Sequence, residues 1–194
     1  MTTDKYAHDY VRHYRRMSPP AKVLELGVWH GGSLELWREL WPDAIVVGVD
    51  LAIGEQARYA AQRADAKVLV GDVTKKETWL ELEAFGKFDL VVDDASHRVS
   101  SMTRALELGW GSVAPSGAWA IEDTCCAFWP EFADASLLEY VDARIRDLHW
   151  HGEREHGLER DVRLYRRPPR NVWEATLDGI EIMNGMVVFF KRGE

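Results

Sequence analysis

Residues 89–98 read DLVVDDASHR, so an apolar run is followed at once by Asp93 and Asp94, with His97 three residues past the second. The next apolar run, GAWAIEDT, closes with Glu122 and Asp123. If both runs are neighbouring strands, four carboxylates meet in one small region. They repel strongly unless positive charge sits among them. Oxygen donors favour a hard cation, Mg2+ first, with Mn2+ or Ca2+ as substitutes. Zinc fits less well, since one histidine is at hand and no cysteine has ligand spacing. Side chains alternate along a strand, so Asp93 and Asp94 face opposite ways. Asp94, Glu122 and Asp123 are assigned to the metal, one of the last two acting through water, and Asp93 to an organic cofactor. For one of the aspartates the plainer alternative is a helix cap. His97 suits a general base, because imidazole titrates near neutrality and such a base contributes ~10²–10⁴-fold to rate.

A second signature lies in VLELGVWHGGS, which sets Glu25, Gly27, Gly31, Gly32 and Ser33 at a strand-to-helix junction. Glycines there allow a tight turn and let backbone amides approach a ligand. The dinucleotide fingerprint G-x-G-x-x-G needs glycine where this chain has Trp29, against a pyrophosphate. S-adenosylmethionine (SAM) carries no pyrophosphate and tolerates bulk at that point. Asp50 ends the second apolar run and suits a ribose diol. Asp72 and Val73 end the third, in VGDV, where an adenine amino group would be met.

These residues need a scaffold that gathers strand ends. Strand-like runs occur at 21–28, 44–51, 66–73, 88–94 and 117–123, separated by stretches with helical spacing of apolar residues. Near-continuous Val, Leu and Ile blocks are strands covered on both faces, hence a parallel sheet. The pattern predicts a doubly wound α/β domain, whose ligand crevice lies at the carboxyl ends of its strands. VWEATLDGIEIM, Asn184-Gly185 and MVVFFKR read as a closing antiparallel hairpin with a type I′ turn. A mostly parallel seven-stranded sheet ending this way resembles the class I methyltransferase fold. One domain over 1–194 is expected, with a helical lid at 1–18 and an acceptor-side insertion at 124–170. The Arg-rich stretch from Arg154 to Arg170 is expected to be its mobile part.

Composition sets exclusions. A formal charge of −8 argues against nucleic acid or an anionic membrane as partner. No apolar run approaches the ~20 residues of a membrane span. No signal-peptide pattern opens the chain, and Cys125 and Cys126 are adjacent and alone, so a cytoplasmic location is expected. Tyr6, Tyr10, His13, Tyr14 and Met17 share a helical face. This stripe either packs on the domain or borders an acceptor, with Tyr6, Tyr10 and, from the insertion, Trp129 as candidate acceptor contacts. Trp150 lies in the same insertion.

The segments TDKYAHDY, LELGVWHGGSLELW, GVD, DDASH and AIEDT resemble the metal-dependent macrolide sugar O-methyltransferases, the mycinamicin VI and demethylmacrocin type. The resemblance implies SAM and Mg2+ as cofactors. By position it implies Asp94, Glu122 and Asp123 on the metal, His97 as base, and a sugar or glycoside acceptor held through vicinal hydroxyls. A catechol-like diol is the alternative acceptor, although such enzymes usually carry Asp-Asn where this chain has Glu122-Asp123. A non-catalytic SAM- or metal-binding module is the remaining alternative. Members of the family carry a region ahead of the Thr3-Asp4-Lys5 motif that helps oligomerisation, which leaves homo-oligomer assembly and the acceptor open here.

Overall fold

The computed structural model describes residues 9–150 and 168–193. Strands β1 (Lys22–Leu26), β2 (Ile45–Asp50), β3 (Lys67–Val70) and β4 (Phe88–Asp93) form where the apolar runs predict. With β5 (Val113–Ile121), β6 (Leu177–Met183) and β7 (Met186–Lys191) they make one seven-stranded sheet of order β3-β2-β1-β4-β5-β7-β6. β1 to β5 run parallel and β7 antiparallel between β5 and β6. The order reverses between β1 and β4, so the loops after these two strands flank the crevice where a doubly wound sheet binds ligands.

Helices cover both faces. α1 (Tyr10–Tyr14), α2 (Gly32–Leu40) and α3 (Glu55–Arg63) pack on the face lined by Val23, Val46, Leu90, Val92, Ala120 and Val188. α4 (Lys76–Leu82), α5 (Val99–Gly109), α6 (Leu137–Leu148) and α7 (Val172–Thr176) pack on the opposite face, against Leu24, Leu26, Val91, Trp119 and Phe189. α1 is far too short to persist alone in water. It holds by burying Tyr10, Val11 and Tyr14, with the Tyr14 ring edge-on to Trp37 at 4.8 Å.

Three local expectations change. β5 begins at Val113, four residues before the predicted start. Residues 172–176 form α7 instead of the hairpin's first strand. The cause is a cap: Asn171 Oδ1 accepts from the Glu174 amide at 2.9 Å, while Glu174 Oε2 accepts from the Arg170 amide at 2.6 Å. The hairpin turn is not type I′, because of its two central residues only Gly185 has positive φ, at 75°. Tertiary bonds claim this turn: the Gly185 carbonyl accepts from the Thr124 amide and the Tyr10 hydroxyl, each at 3.0 Å.

Candidate active site

The sheet delivers Asp94 and Asp123 just past the carboxyl ends of two paired strands, β4 and β5. His97 follows on the β4–α5 loop in a left-handed conformation, φ 56°, which non-glycine residues seldom adopt. The structure brings Asp94, His97 and Asp123 together, with one donor atom of each within 4.8 Å of the others. His97 Nε2 lies 4.0 Å from Asp123 Oδ2. The two carboxylates are oxygen donors for a hard divalent cation, and the imidazole stands beside them; all three are partly accessible.

Glu122 is not in that group. It is 1% exposed, and its Oε1 accepts the Tyr14 hydroxyl at 2.5 Å. Burial and the nearby Glu122 charge hold the Tyr14 phenol well above its usual range. Glu25 is fully buried beside it and accepts from Trp37 Nε1 at 2.5 Å. Strand parity explains this: Glu25 and Glu122 continue the face of Val23 and Ala120, which the α1–α2 aromatics cover. Asp93 goes to the other face, as alternation requires. It is 2% exposed; Oδ1 accepts weakly from the Ala95 amide at 3.4 Å, and Oδ2 has no protein partner. Burial pushes its carboxyl up to about 7, against the Ala95 bond and with the charges of Asp94 and Glu25 adding.

The glycine-bearing loop lies against this cluster. Gly27 has φ 90°, and a Cβ there would lie 2.3 Å from the Asp94 carbonyl oxygen. Gly31, φ 85°, caps α2 and would put a Cβ 2.5 Å from that of Ala60. Both glycines therefore answer packing within the chain as well as any ligand. Gly32 and Ser33 open α2, half-buried. Asp50 Oδ2 accepts from the Val28 and Trp29 amides, both at 2.8 Å, and so pins the loop to β2. Asp72 Oδ1 accepts from the Thr74 amide and hydroxyl at 2.9 and 2.6 Å, which hold its carboxyl below the usual range. The Val73 carbonyl accepts from Trp79 Nε1 at 2.8 Å. An orphaned buried carboxylate oxygen on Asp93 beside a glycine-bearing turn fits a polar cofactor at these strand ends.

The acceptor-side expectations divide. Tyr6 and most of the Arg154–Arg170 stretch lie outside the described residues. Tyr10 is 2% exposed, and its hydroxyl meets Asp123 Oδ1 at 2.8 Å, so it reaches a carboxylate and offers no open ring face. Trp150 is buried. Trp129 is 49% exposed and stands beside Phe132 (ring centroids 6.1 Å), which is edge-on to His97 at 6.2 Å. Phe132 and Tyr14 escaped the sequence reading as site residues. Only the Tyr10/Tyr14 spacing could have pointed to the second, and nothing local pointed to the first. Cys125 and Cys126 are free thiols.

A sequence profile of FtsJ-like methyltransferases matches residues 8–109. Among curated proteins, demethylmacrocin O-methyltransferase of Streptomyces fradiae is 31% identical over 136 residues, 66% of this chain and 33% of that protein. Mycinamicin VI 2''-O-methyltransferase of Micromonospora griseorubida is 31% identical over 133 residues, 63% of this chain and 32% of that protein. L-olivosyl-oleandolide 3-O-methyltransferase of Streptomyces antibioticus is 28% identical over 163 residues, 73% and 40% of the two chains. The matched stretch spans about a third of the length of the first two relatives. The solved MycE methyltransferase from the mycinamycin biosynthetic pathway, in complex with Mg and SAH, shares the fold. It superposes with a TM-score of 0.76 at 22% identity, covering 97% of this chain and 48% of that one.

Proposed function

The chain belongs to the FtsJ-like methyltransferase family, and on that premise we propose that it is a Mg2+-dependent O-methyltransferase using SAM. Its acceptor is a hydroxyl of a sugar or glycosylated natural product. The observation that carries this reading is the cluster of Asp94, His97 and Asp123 at adjoining strand ends, against the Gly27 loop. The acceptor class rests on the relatives, one of which is named for an L-olivosyl compound.

When bound, SAM supplies a methyl group on positively charged sulfur, and the cation supplies positive charge facing an oxygen that loses its proton. Asp94 and Asp123 would hold the cation, with Glu122 behind them. Glycines 27, 31 and 32, Ser33, Asp50, Asp72, Val73 and Asp93 form the cofactor side. His97 Nε2, the nitrogen facing the acids, takes the hydroxyl proton. Asp123 Oδ2 lies 4.0 Å from that nitrogen. Phe132 stands edge-on to the imidazole, and Trp129 beside it offers a half-exposed ring to an acceptor.

His97→Ala is expected to lower turnover about 10²–10⁴-fold while leaving S-adenosylhomocysteine binding intact. Chelation should abolish transfer and added Mg2+ restore it. Turnover at the parental rate in His97→Ala would refute the base, and transfer that survives chelation would remove the metal.

A further inference from the structure

Two tyrosines one helical turn apart on α1 reach the two consecutive acids that follow β5. Tyr10 and Tyr14 share a helix face by their i, i+4 spacing. Tyr14 donates to Glu122 Oε1, and Tyr10 lies 2.8 Å from Asp123 Oδ1. Consecutive strand residues point to opposite faces, so one helix would not ordinarily serve both. Here it does, because Asp123 leaves the strand with φ 51°. Tyr10 holds that conformation from two sides. Its hydroxyl donates to the Asp123 carboxylate or, at 3.0 Å, to the Gly185 carbonyl, and accepts the Asp123 amide at 3.3 Å. The Thr124 amide bond to the same Gly185 carbonyl, 3.0 Å, ties the turn in place. With Oδ1 engaged by Tyr10, the other oxygen, Oδ2, is the one facing His97.

We propose that Tyr10 is a positioning residue for the cation site. It acts through Asp123, turning Oδ2 toward the space shared with Asp94 and His97, and so makes α1 part of the metal-binding apparatus. This rests on the reading that Asp94 and Asp123 hold a divalent cation. Hydrogen-bond partners of ligating groups typically set metal affinity by about 10–100-fold.

The test is calorimetric titration of Mg2+ into the full chain and into Tyr10→Phe, which keeps the ring and removes one oxygen. Each is also measured for S-adenosylhomocysteine affinity and for metal-free melting temperature. Tyr10→Phe should bind Mg2+ about tenfold or more weakly, with S-adenosylhomocysteine affinity unmoved and the metal-free melting temperature lowered by no more than roughly 2–4 °C, the cost of about one hydrogen bond. A merely structural role would lower the melting temperature by much more and weaken both affinities together. Parental Mg2+ affinity in Tyr10→Phe would overturn the inference and leave the cation reading standing. So would a variant that melts much lower without metal, or fails to fold, because the tyrosine would then serve stability. A parent chain that binds S-adenosylhomocysteine but no Mg2+ would sink the cation reading and this inference together.

Discussion

Gly27, just past the end of β1, packs directly against the backbone that follows β4. Its backbone is left-handed, and a Cβ there would sit only 2.3 Å from the Asp94 carbonyl oxygen, which leaves no room for a side chain. The next obstacles, the Asp94 carbonyl carbon and Ala95 Cα at 2.7 Å, are also backbone, so no rotamer change relieves the clash. Gly27→Ala must therefore shift the peptide that follows a candidate cation ligand. Overpacking of this kind costs about 1–3 kcal/mol, and the positive φ adds to it. Urea unfolding at constant m-value measures the loss. A Gly27→Ala protein as stable as the parent would show that the loop yields where these contacts say it is rigid. Asp50 acts on the same loop from the other end, through the Val28 and Trp29 amides. A residue read from the sequence as a ribose ligand thus also builds the loop it serves.

At the scale of elements, the loop carrying His97 is clamped by the segment after Trp129. The Val99 amide donates to the Phe132 carbonyl at 3.3 Å, and Ser100 gives its amide and hydroxyl to Asp134 at 2.9 and 2.6 Å. Those two bonds hold the Asp134 carboxyl below its usual range. A depressed folded-state value means the contribution is present above the unfolded pKa and is lost as pH falls through the folded one. Asp134→Ala should therefore speed amide exchange at residues 97–101 at neutral pH, and the difference from the parent should vanish in acid. The pair is partly solvated, so the loss is expected to be no more than about 1 kcal/mol. Equal exchange rates at neutral pH would show that the clamp does not order the loop. The runs at β1, β2 and β4 were legible because apolar residues buried on both faces are nearly continuous in sequence, and β3, an edge strand, by its short apolar run alone. Residues 172–176 were not, because a strand-like VWEAT is overridden by the Asn171–Glu174 cap. The Asn184-Gly185 turn was legible as a turn but not by type, since its carbonyl is drawn to Tyr10 and Thr124 from distant parts of the chain.

For the molecule as a whole, the acids at strand ends were legible because a doubly wound sheet must place them together. Their division of labour was not. Glu122 and Asp123 differ through Tyr14 and Tyr10, contacts that span 108 and 113 residues and leave no local trace in the sequence. Among the described residues no helix is long and apolar enough to cross a membrane. The contact between the loops after β1 and β4 also gives a global prediction, because ligands held on both sides of it would bind only the folded sheet. S-adenosylhomocysteine at 100 times its dissociation constant should add ~2.7 kcal/mol to stability. For a chain of 194 residues that corresponds to a rise of roughly 5–10 °C in melting temperature. Mg2+ should raise it further when both are present, since its candidate ligand Asp94 touches the loop that the cofactor would order. NAD should produce no shift, because Trp29 stands where a pyrophosphate needs glycine. Scanning calorimetry with each ligand alone and with both together measures these effects. A shift with NAD and none with S-adenosylhomocysteine would reverse the cofactor assignment, and with it the division of the strand-end acids between a cofactor side and a cation side.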